Sequence, residues 1–179
     1  ACDNLYAEYA DSKPHTSLLF GVTGSGKTSV FMKLIERVMN DNKGIIVMVS
    51  EISLTPQFVS TFSKRFGEQI AVFHSALSLG ERLDEYKRVK KGLAKIVIGT
   101  RSAVFAPFEK VGLIIMDEEQ EYSYKSESSP RYHAREIAKF RCSYDNALLV
   151  LSSATPSVES YYYAKNGRYS LNTLTERDG

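Results

Sequence analysis

Eight residues near the start of the chain, GVTGSGKT, have the types and spacing of a phosphate-binding loop. In such a loop, successive backbone N–H groups surround phosphate oxygens, while a lysine reaches the β and γ phosphates and a hydroxyl binds Mg²⁺. The loop follows an apolar run and precedes an amphipathic one, as this chemistry requires. The sequence therefore predicts an ATP site formed by Gly21, Val22, Thr23, Gly24, Ser25, Gly26, Lys27 and Thr28.

An acid pair, Asp117 and Glu118, follows the apolar stretch GLIIM. Such a pair can bind Mg²⁺ through the aspartate, here together with Thr28, and polarise an attacking water through the glutamate. Seen alone, the pair could also be a solvated strand edge or a helix cap. Many phosphotransferases with a similar loop have no second acid beside the metal aspartate, so the pair favours hydrolysis over phosphotransfer.

Three further segments combine hydroxyl, cationic and aromatic residues: GTRSA (99–103), EYSYKSESSPRYHARE (121–136) and SSATPS (152–157). Aromatic side chains interleaved with cations suit base stacking combined with phosphate contacts. Alternatives remain open, because Arg101 could be a surface ion-pair partner and Tyr132 could pack against the next helix.

The apolar pattern predicts an α/β domain with a mostly parallel sheet and helices on both faces. Unbroken apolar runs indicate strands buried on both sides; they lie at 17–20, 44–49, 70–73, 95–99, 112–116 and 147–151. Helices are predicted over 28–40, 55–67, 78–92 and 155–167, with caps at Thr55, Ser78 and Thr155. Residues 1–16 are taken as an N-terminal leader and 17–179 as one domain.

Composition bounds the function classes. The 179 residues carry a net charge of only +2, two cysteines and no apolar run of membrane-spanning length, which predicts a cytoplasmic protein without a membrane partner. Nucleic acid would have to bind through a local surface. The basic run YKRVKKG (86–92) is interpreted as a solvated helix face rather than a DNA patch, and His74 as a loop residue rather than a metal ligand.

In this order, GSGKT, DEEQ and SSATP resemble motifs I, II and III of superfamily 2 helicases. Together with EISLTPQ, HSALSLGER, VIGTRSAVFAPF and PRYHARE they resemble the first motor lobe of the PriA family of replication-restart helicases over nearly the whole chain, from about 18 to 177. The resemblance implies a RecA-like P-loop NTPase fold and, in the full-length protein, a 3′-to-5′ DNA helicase that couples ATP hydrolysis to translocation on single-stranded DNA.

The resemblance also implies site residues and partners. Lys27, Asp117, Glu118 and Gln120 would be catalytic, with ATP and Mg²⁺ as cofactors. The residues implied in DNA binding or coupling are Thr100, Arg101, Ser102, Tyr122, Tyr124, Lys125, Arg131, Ser153, Ala154 and Thr155. Partners would be single-stranded and forked DNA, primosome and single-strand-binding proteins, and a second helicase lobe.

Two residues depart from the family pattern: Gln120 stands where histidine is usual, and Ser50 where proline is usual. Glutamine still donates and accepts hydrogen bonds but does not titrate, so the coupling between ATP state and DNA binding is in question. The chain is expected to be an isolated first lobe with half an active site and almost no activity alone. A non-catalytic nucleotide-dependent binding module and, less favoured, a kinase are the alternatives.

Overall fold

The computed structural model describes residues 1–175, so the last four residues of the predicted domain lie outside the described part. Its strands are β1 (His15–Gly21), β2 (Gly44–Met48), β3 (Ile70–Phe73), β4 (Ile96–Gly99), β5 (Val111–Met116), β6 (Leu148–Ser153) and β7 (Ser170–Leu174). Its helices are α1 (Cys2–Ala10), α2 (Lys27–Val38), α3 (Pro56–Phe66), α4 (Leu79–Lys90), α5 (Ala134–Asp145) and α6 (Val158–Lys165). Short 3₁₀ turns include Arg101–Phe105 and Tyr122–Tyr124.

All seven strands run parallel in one sheet of order β3-β4-β2-β5-β6-β1-β7. The two faces carry separate apolar cores. Phe31 of α2, Phe62 of α3 and Leu5 of α1 belong to one core, whereas Val89 of α4, Ala138 of α5 and Ala164 of α6 belong to the other. The predicted α/β fold with helices on both faces of a parallel sheet is therefore confirmed.

The six predicted strands are present, and the structure adds a seventh, β7, at the sheet edge. Its sequence SLNTL mixes polar and apolar residues, and only Asn172 of the strand is buried, where it donates a hydrogen bond to Ser17 at 2.9 Å. A half-exposed edge strand lacks the unbroken apolar run by which the central strands were recognised.

Two predicted helix starts are confirmed and one is wrong. Thr55 accepts a hydrogen bond from the Phe58 amide at 3.1 Å, and Ser78 forms a complete capping box with Glu81. Helix α6, however, begins after Ser157 instead of Thr155. The physical reason is that the Thr155 amide donates to the Ser153 hydroxyl at 2.8 Å, which keeps this segment in a turn.

Residues 2–10, within the segment taken as a leader, form α1. Leu5 is fully buried and Tyr9 nearly so in the core beneath α2. Arg37 of α2 donates to Asp3 at 2.7 Å, which ties the two helices together at the surface. The helix therefore packs against the domain.

The sheet order brings the predicted site segments together at the carboxyl ends of the strands. β1 lies beside β6, with Phe20 opposite Ser153, and β5 lies on the other side of β6, with Met116 opposite Leu151. The phosphate loop, the acid pair and the SSAT turn thus follow three adjacent strands at their carboxyl ends, where ligands of such sheets bind. Within residues 1–175, every helix falls short of the length and apolar character needed to cross a membrane.

Candidate functional site

The phosphate-binding loop joins β1 to α2. Gly24 and Gly26 adopt the left-handed conformation, with φ of 78° and 83°, which glycine reaches without steric cost. No side chain among residues 1–175 caps the N-terminus of α2, and its amides are the donors that an anion needs. Lys27 folds over the loop and donates to the carbonyl oxygens of Gly21, at 2.9 Å, and Val22, at 3.3 Å.

The loop fits a triphosphate. A Cβ at Gly24 would have nothing within 4 Å, so space is open in front of the loop. The buried hydroxyl of Ser25 has no hydrogen-bond partner within the described part of the chain, which leaves it free for a phosphate oxygen or water. These features are those of an anion site, as the sequence predicts.

The acid pair stands at the end of β5. Burial, followed by the charge of Glu118, raises the pKa of Asp117 to about 6, while the Glu118 amide and the charge of Lys27 oppose the rise. A carboxylate with this pKa is one that a divalent cation would stabilise in its charged form. Asp117 therefore fits its predicted role as a Mg²⁺ ligand, and Thr28, the second predicted ligand, lies in the first turn of α2.

Glu118 lies in an unusual backbone position, with φ of 47°. Its amide donates to Asp117 Oδ1 at 3.0 Å, and Oε2 of its carboxylate accepts a hydrogen bond from Gln120 Nε2 at 3.0 Å. A left-handed glutamate is uncommon, and such positions cluster at functional sites. The local backbone and Gln120 together hold the Glu118 carboxylate in one orientation.

Gln120 links this carboxylate to the turn after β6. Its Oε1 accepts a hydrogen bond from the buried Ser153 hydroxyl at 2.6 Å, and Ser153 Oγ accepts one from the Thr155 amide at 2.8 Å. Four residues from two motifs thus form a continuous series of hydrogen bonds, Glu118–Gln120–Ser153–Thr155. Gln120 performs this link as a neutral amide.

Glu119, which the sequence argument did not select as a site residue, is the most buried of the acids. Its side chain is 0% exposed and pairs with Arg135 at 3.0 Å. It also accepts hydrogen bonds from the Ser157 amide at 2.7 Å and the Ser160 hydroxyl at 3.1 Å. Glu119 therefore fixes the start of α6 and the start of α5 to the acid motif. The sequence did contain a sign of this structural role, because DEEQ has three acids and the proposed chemistry uses only the first two.

The structure buries three of the predicted DNA residues, namely Ser153, described above, Tyr124 and Thr100. Tyr124 is 1% exposed and its hydroxyl donates to the Asp117 carbonyl oxygen at 2.5 Å, and Thr100 is 7% exposed. None of these side chains offers a surface on which a base could stack. Tyr124 instead connects the aromatic segment directly to the backbone of the acid motif.

Arg101 joins two of the predicted segments. Its guanidinium donates from one nitrogen to the carbonyl oxygens of Ser123 at 3.1 Å and Lys125 at 3.0 Å. Tyr132 is a packing residue, since it is partly buried against the core, but its ring meets Phe105 of the Arg101–Phe105 turn edge-on at 5.1 Å and not a residue of the next helix. Arg101 thus holds the GTRSA turn against the segment that follows the acids.

Several predicted residues do lie on the surface of this edge. Tyr122 is 64% exposed, and its hydroxyl donates to Glu127 at 2.5 Å. The Lys125 ammonium lies 5.9 Å from the centre of the Tyr122 ring. Exposed residues also include Ser102, Arg131 and Thr155, whereas Ala154 is half-buried. An aromatic ring and cations are therefore available to a ligand next to the acid motif.

Comparison with known proteins gives consistent matches. A family model described as DEAD/DEAH box helicase matches residues 7–162. Replication restart protein PriA of Bacillus subtilis is 52% identical over 95% of this chain and 21% of that protein. The PriA protein of Treponema pallidum is 50% identical over 88% of this chain, and that of Chlamydia pneumoniae is 43% identical over 99% of it. The match covers 24% of the length of each of these two proteins. The chain therefore spans about a fifth to a quarter of these relatives.

Two solved structures show the same fold. RecG bound to a three-way DNA junction matches with a TM-score of 0.67 and 23% identity, over 99% of this chain and 23% of that chain. The helicase domain of Pyrococcus furiosus Hef matches with a TM-score of 0.63 and 20% identity, over 95% and 37%. These likenesses confirm the predicted RecA-like domain.

Proposed function

The chain belongs to the DEAD/DEAH box helicase family, and from this premise we propose that it is the ATP-binding motor lobe of a 3′-to-5′ replication-restart DNA helicase. Its similarity to PriA proteins confirms the resemblance found in the motifs. In this proposal, the full-length protein couples ATP hydrolysis to translocation on single-stranded DNA in the cytoplasm.

One observation carries the proposal: the hydrogen-bonded series Glu118–Gln120–Ser153–Thr155 connects the candidate water-activating carboxylate to an exposed turn. A site that only bound nucleotide would not need the side chains of two motifs to be joined in this way. The series gives a route by which a ligand at the surface could change the orientation of Glu118. This favours a motor over the non-catalytic binding module.

At the nucleotide, Lys27 would leave the carbonyl oxygens of Gly21 and Val22 and pair with the β and γ phosphates, because a phosphate is the stronger partner for an ammonium group. Asp117 and Thr28 would hold Mg²⁺, which when bound neutralises phosphate charge. Glu118 would orient and polarise the attacking water.

At the DNA, the exposed ring of Tyr122 and the cations of Lys125 and Arg131 would contact bases and phosphates. Occupancy of this surface would reach the acids through Tyr124, whose hydroxyl bonds to the Asp117 carbonyl oxygen, and through the Ser153 turn. Forked DNA, primosome proteins and single-strand-binding proteins are the partners that the PriA resemblance adds. A second helicase lobe would supply the arginine that stabilises charge on the γ phosphate.

The proposal is tested by DNA-stimulated phosphate release from the full-length protein. We expect Lys27→Ala to abolish release and to weaken ATP binding by about 1.5–3 kcal/mol, the value of a charge-assisted contact. Lys64→Ala, on the exposed surface of α3, is the matched control and should change neither quantity. ATP affinity unchanged in Lys27→Ala would overturn the nucleotide site.

A second measurement tests the motor-lobe interpretation itself. The 179-residue chain alone should release almost no phosphate, with or without single-stranded DNA, because an arginine from a facing lobe contributes roughly 10³–10⁵ in rate in comparable systems. Turnover equal to that of the full-length protein would show that this chain holds a complete site.

A further inference from the structure

A second charged site lies at the amino ends of the strands, on the edge of the sheet opposite the phosphate loop. A pocket of about 550 Å³ is lined there by four lysines, Lys43, Lys90, Lys95 and Lys110. They come from four separate segments, since Lys43, Lys95 and Lys110 immediately precede β2, β4 and β5, and Lys90 ends α4. The fold, rather than one basic run, brings these charges together.

The charge of this pocket is largely uncompensated. Within the described part of the chain, none of the four lysines forms a salt bridge, and Glu109 is the one acidic residue in the lining. Four lysines and one carboxylate leave a formal charge of +3 around one opening. The whole chain has a formal charge of +2, so this concentration is local.

The floor of the pocket is preformed. The Phe108 ring lies directly on Gly44, where an added Cβ would come within 2.2 Å of it. Arg141 of α5 donates to the Phe108 carbonyl oxygen at 3.1 Å and to that of Val104 at 2.8 Å, which fixes this loop. Tyr86 is 41% exposed and adds an aromatic wall. A ligand would therefore meet a fixed apolar surface lined by lysines. The Lys43 ammonium lies 5.5 Å from the centre of the Tyr9 ring, so the other three lysines are the main candidates for contacting a ligand.

The nucleotide site does not explain this charge. Lys110 and Asp117 are separated by the length of β5, roughly 20 Å at the rise of a parallel strand. This distance exceeds the Debye length of about 8 Å at physiological salt, so the lysines have little influence on phosphates bound at Lys27.

The structure also divides the basic run of α4. Arg88 is used internally, with bonds to Glu85 at 2.8 Å and to the Ile70 carbonyl oxygen at 3.2 Å. Lys87, Lys90 and Lys91 are all exposed, as a solvated helix face predicts, and of these three Lys90 lines the pocket.

We propose that this pocket binds the phosphate backbone of duplex nucleic acid, at a site separate from the single-strand surface near Tyr122. Duplex DNA has the charge density that a cluster of lysines without salt bridges would complement. The cations that line the pocket are lysines, which contact phosphate as point charges. Such contacts carry no sequence information, so the site would position a duplex arm without reading its bases.

The test is fluorescence anisotropy with the protein and two probes, a random-sequence 20-base-pair DNA duplex and a 20-nucleotide single strand, across a salt series. The variant is K90Q/K95Q/K110Q, and the matched control is K13Q/K64Q/K165Q, three exposed lysines elsewhere. For the duplex, we expect the pocket variant to reduce the magnitude of the slope of log K against log salt by about 3 and to weaken binding at least tenfold. The control variant should show a smaller effect on both quantities. Unchanged ATP affinity verifies that the variant is folded.

A second pair of variants separates this site from the proposed single-strand surface. K125Q/R131Q should weaken binding of the single strand and leave duplex binding nearly intact, whereas the pocket variant should do the reverse. Equal losses of duplex affinity in the pocket variant and its control would overturn the proposal. It would also be overturned if poly-glutamate displaced the labelled duplex as effectively as unlabelled duplex added at the same total charge. Neither result would bear on the ATP site, so the motor proposal is tested independently.

Discussion

The hydroxyl of Ser153 donates a 2.6 Å hydrogen bond to the amide oxygen of Gln120, so that the motif after β6 and the motif after β5 are joined side chain to side chain. The other end of the same amide donates to Glu118 at 3.0 Å. A rotation of the Ser153 or Gln120 side chain would therefore change the hydrogen bonding of the Glu118 carboxylate, which is proposed to activate water. The resemblance to the PriA family leads us to expect histidine at this position. Histidine would titrate near neutral pH, whereas the Gln120 amide does not titrate.

The first prediction concerns this bridge. Gln120→Ala should lower DNA-stimulated phosphate release by the full-length protein more than basal release, because it removes both bonds. A net value of about 0.5–1.5 kcal/mol for a hydrogen bond corresponds to roughly 2- to 12-fold in rate. Ser153→Ala should have a similar effect, and the double variant should be little worse than either single one. Additive losses in the double variant would argue against a shared bridge.

The sequence predicted the buried strands and the edge at which the site forms, because unbroken apolar runs and loop chemistry are local signals. It did not predict β7, whose mixture of polar and apolar residues is typical of an exposed edge strand, or the displaced start of α6. That start depends on a bond from the Thr155 amide to the Ser153 hydroxyl and on Glu119, which accepts from the Ser157 amide across 38 positions of sequence.

Side-chain exposure was the larger gap in the prediction of the site. Tyr122 and Tyr124 are two residues apart and have the same chemistry, yet one is 64% exposed and the other 1%. Nothing in their spacing separates a surface residue from a core residue in an irregular segment. The lysine pocket was likewise not predicted from the sequence, since its four lysines come from separate segments that approach one another only when the strands pair.

The second prediction separates the two adjacent glutamates. Glu118→Gln should stop hydrolysis by the full-length protein with little change in stability, because the side chain is partly exposed and acts on water. Glu119→Gln should destabilise the fold by about 1–3 kcal/mol, since it weakens a fully buried pair although Arg135 keeps Glu159 at 3.2 Å. Chemical denaturation and phosphate release on both variants test this. Equal stability of the two would contradict the structural role of Glu119.

The third prediction concerns the tyrosines. Tyr122→Ala should weaken single-stranded DNA binding, by roughly 1–3 kcal/mol if a base stacks on the ring. Tyr124→Phe keeps the buried ring and removes only the 2.5 Å bond to the Asp117 carbonyl oxygen. It should leave DNA affinity intact and reduce stimulation of ATP hydrolysis. Loss of DNA affinity in Tyr124→Phe would show that this residue contacts DNA directly after all.

The last prediction concerns pH and His133, which caps α5 by accepting a 3.1 Å hydrogen bond from the Arg135 amide at Nδ1. Burial, followed by the charge of Arg135, lowers the pKa of His133, while Glu136, Glu119 and Glu159 oppose this. The unfolded chain therefore takes up the proton first. The stability contributed by the neutral ring is complete above about pH 6.5 and is lost progressively below it.

His133→Asn keeps a capping acceptor without a titrating group. Between pH 7.5 and 5.5 the Tm of the wild type should fall further than that of the variant. Asp117, whose pKa is raised to about 6, is present in both proteins, so its contribution cancels in the comparison. Parallel curves for the two proteins would exclude His133 as the origin of the pH dependence.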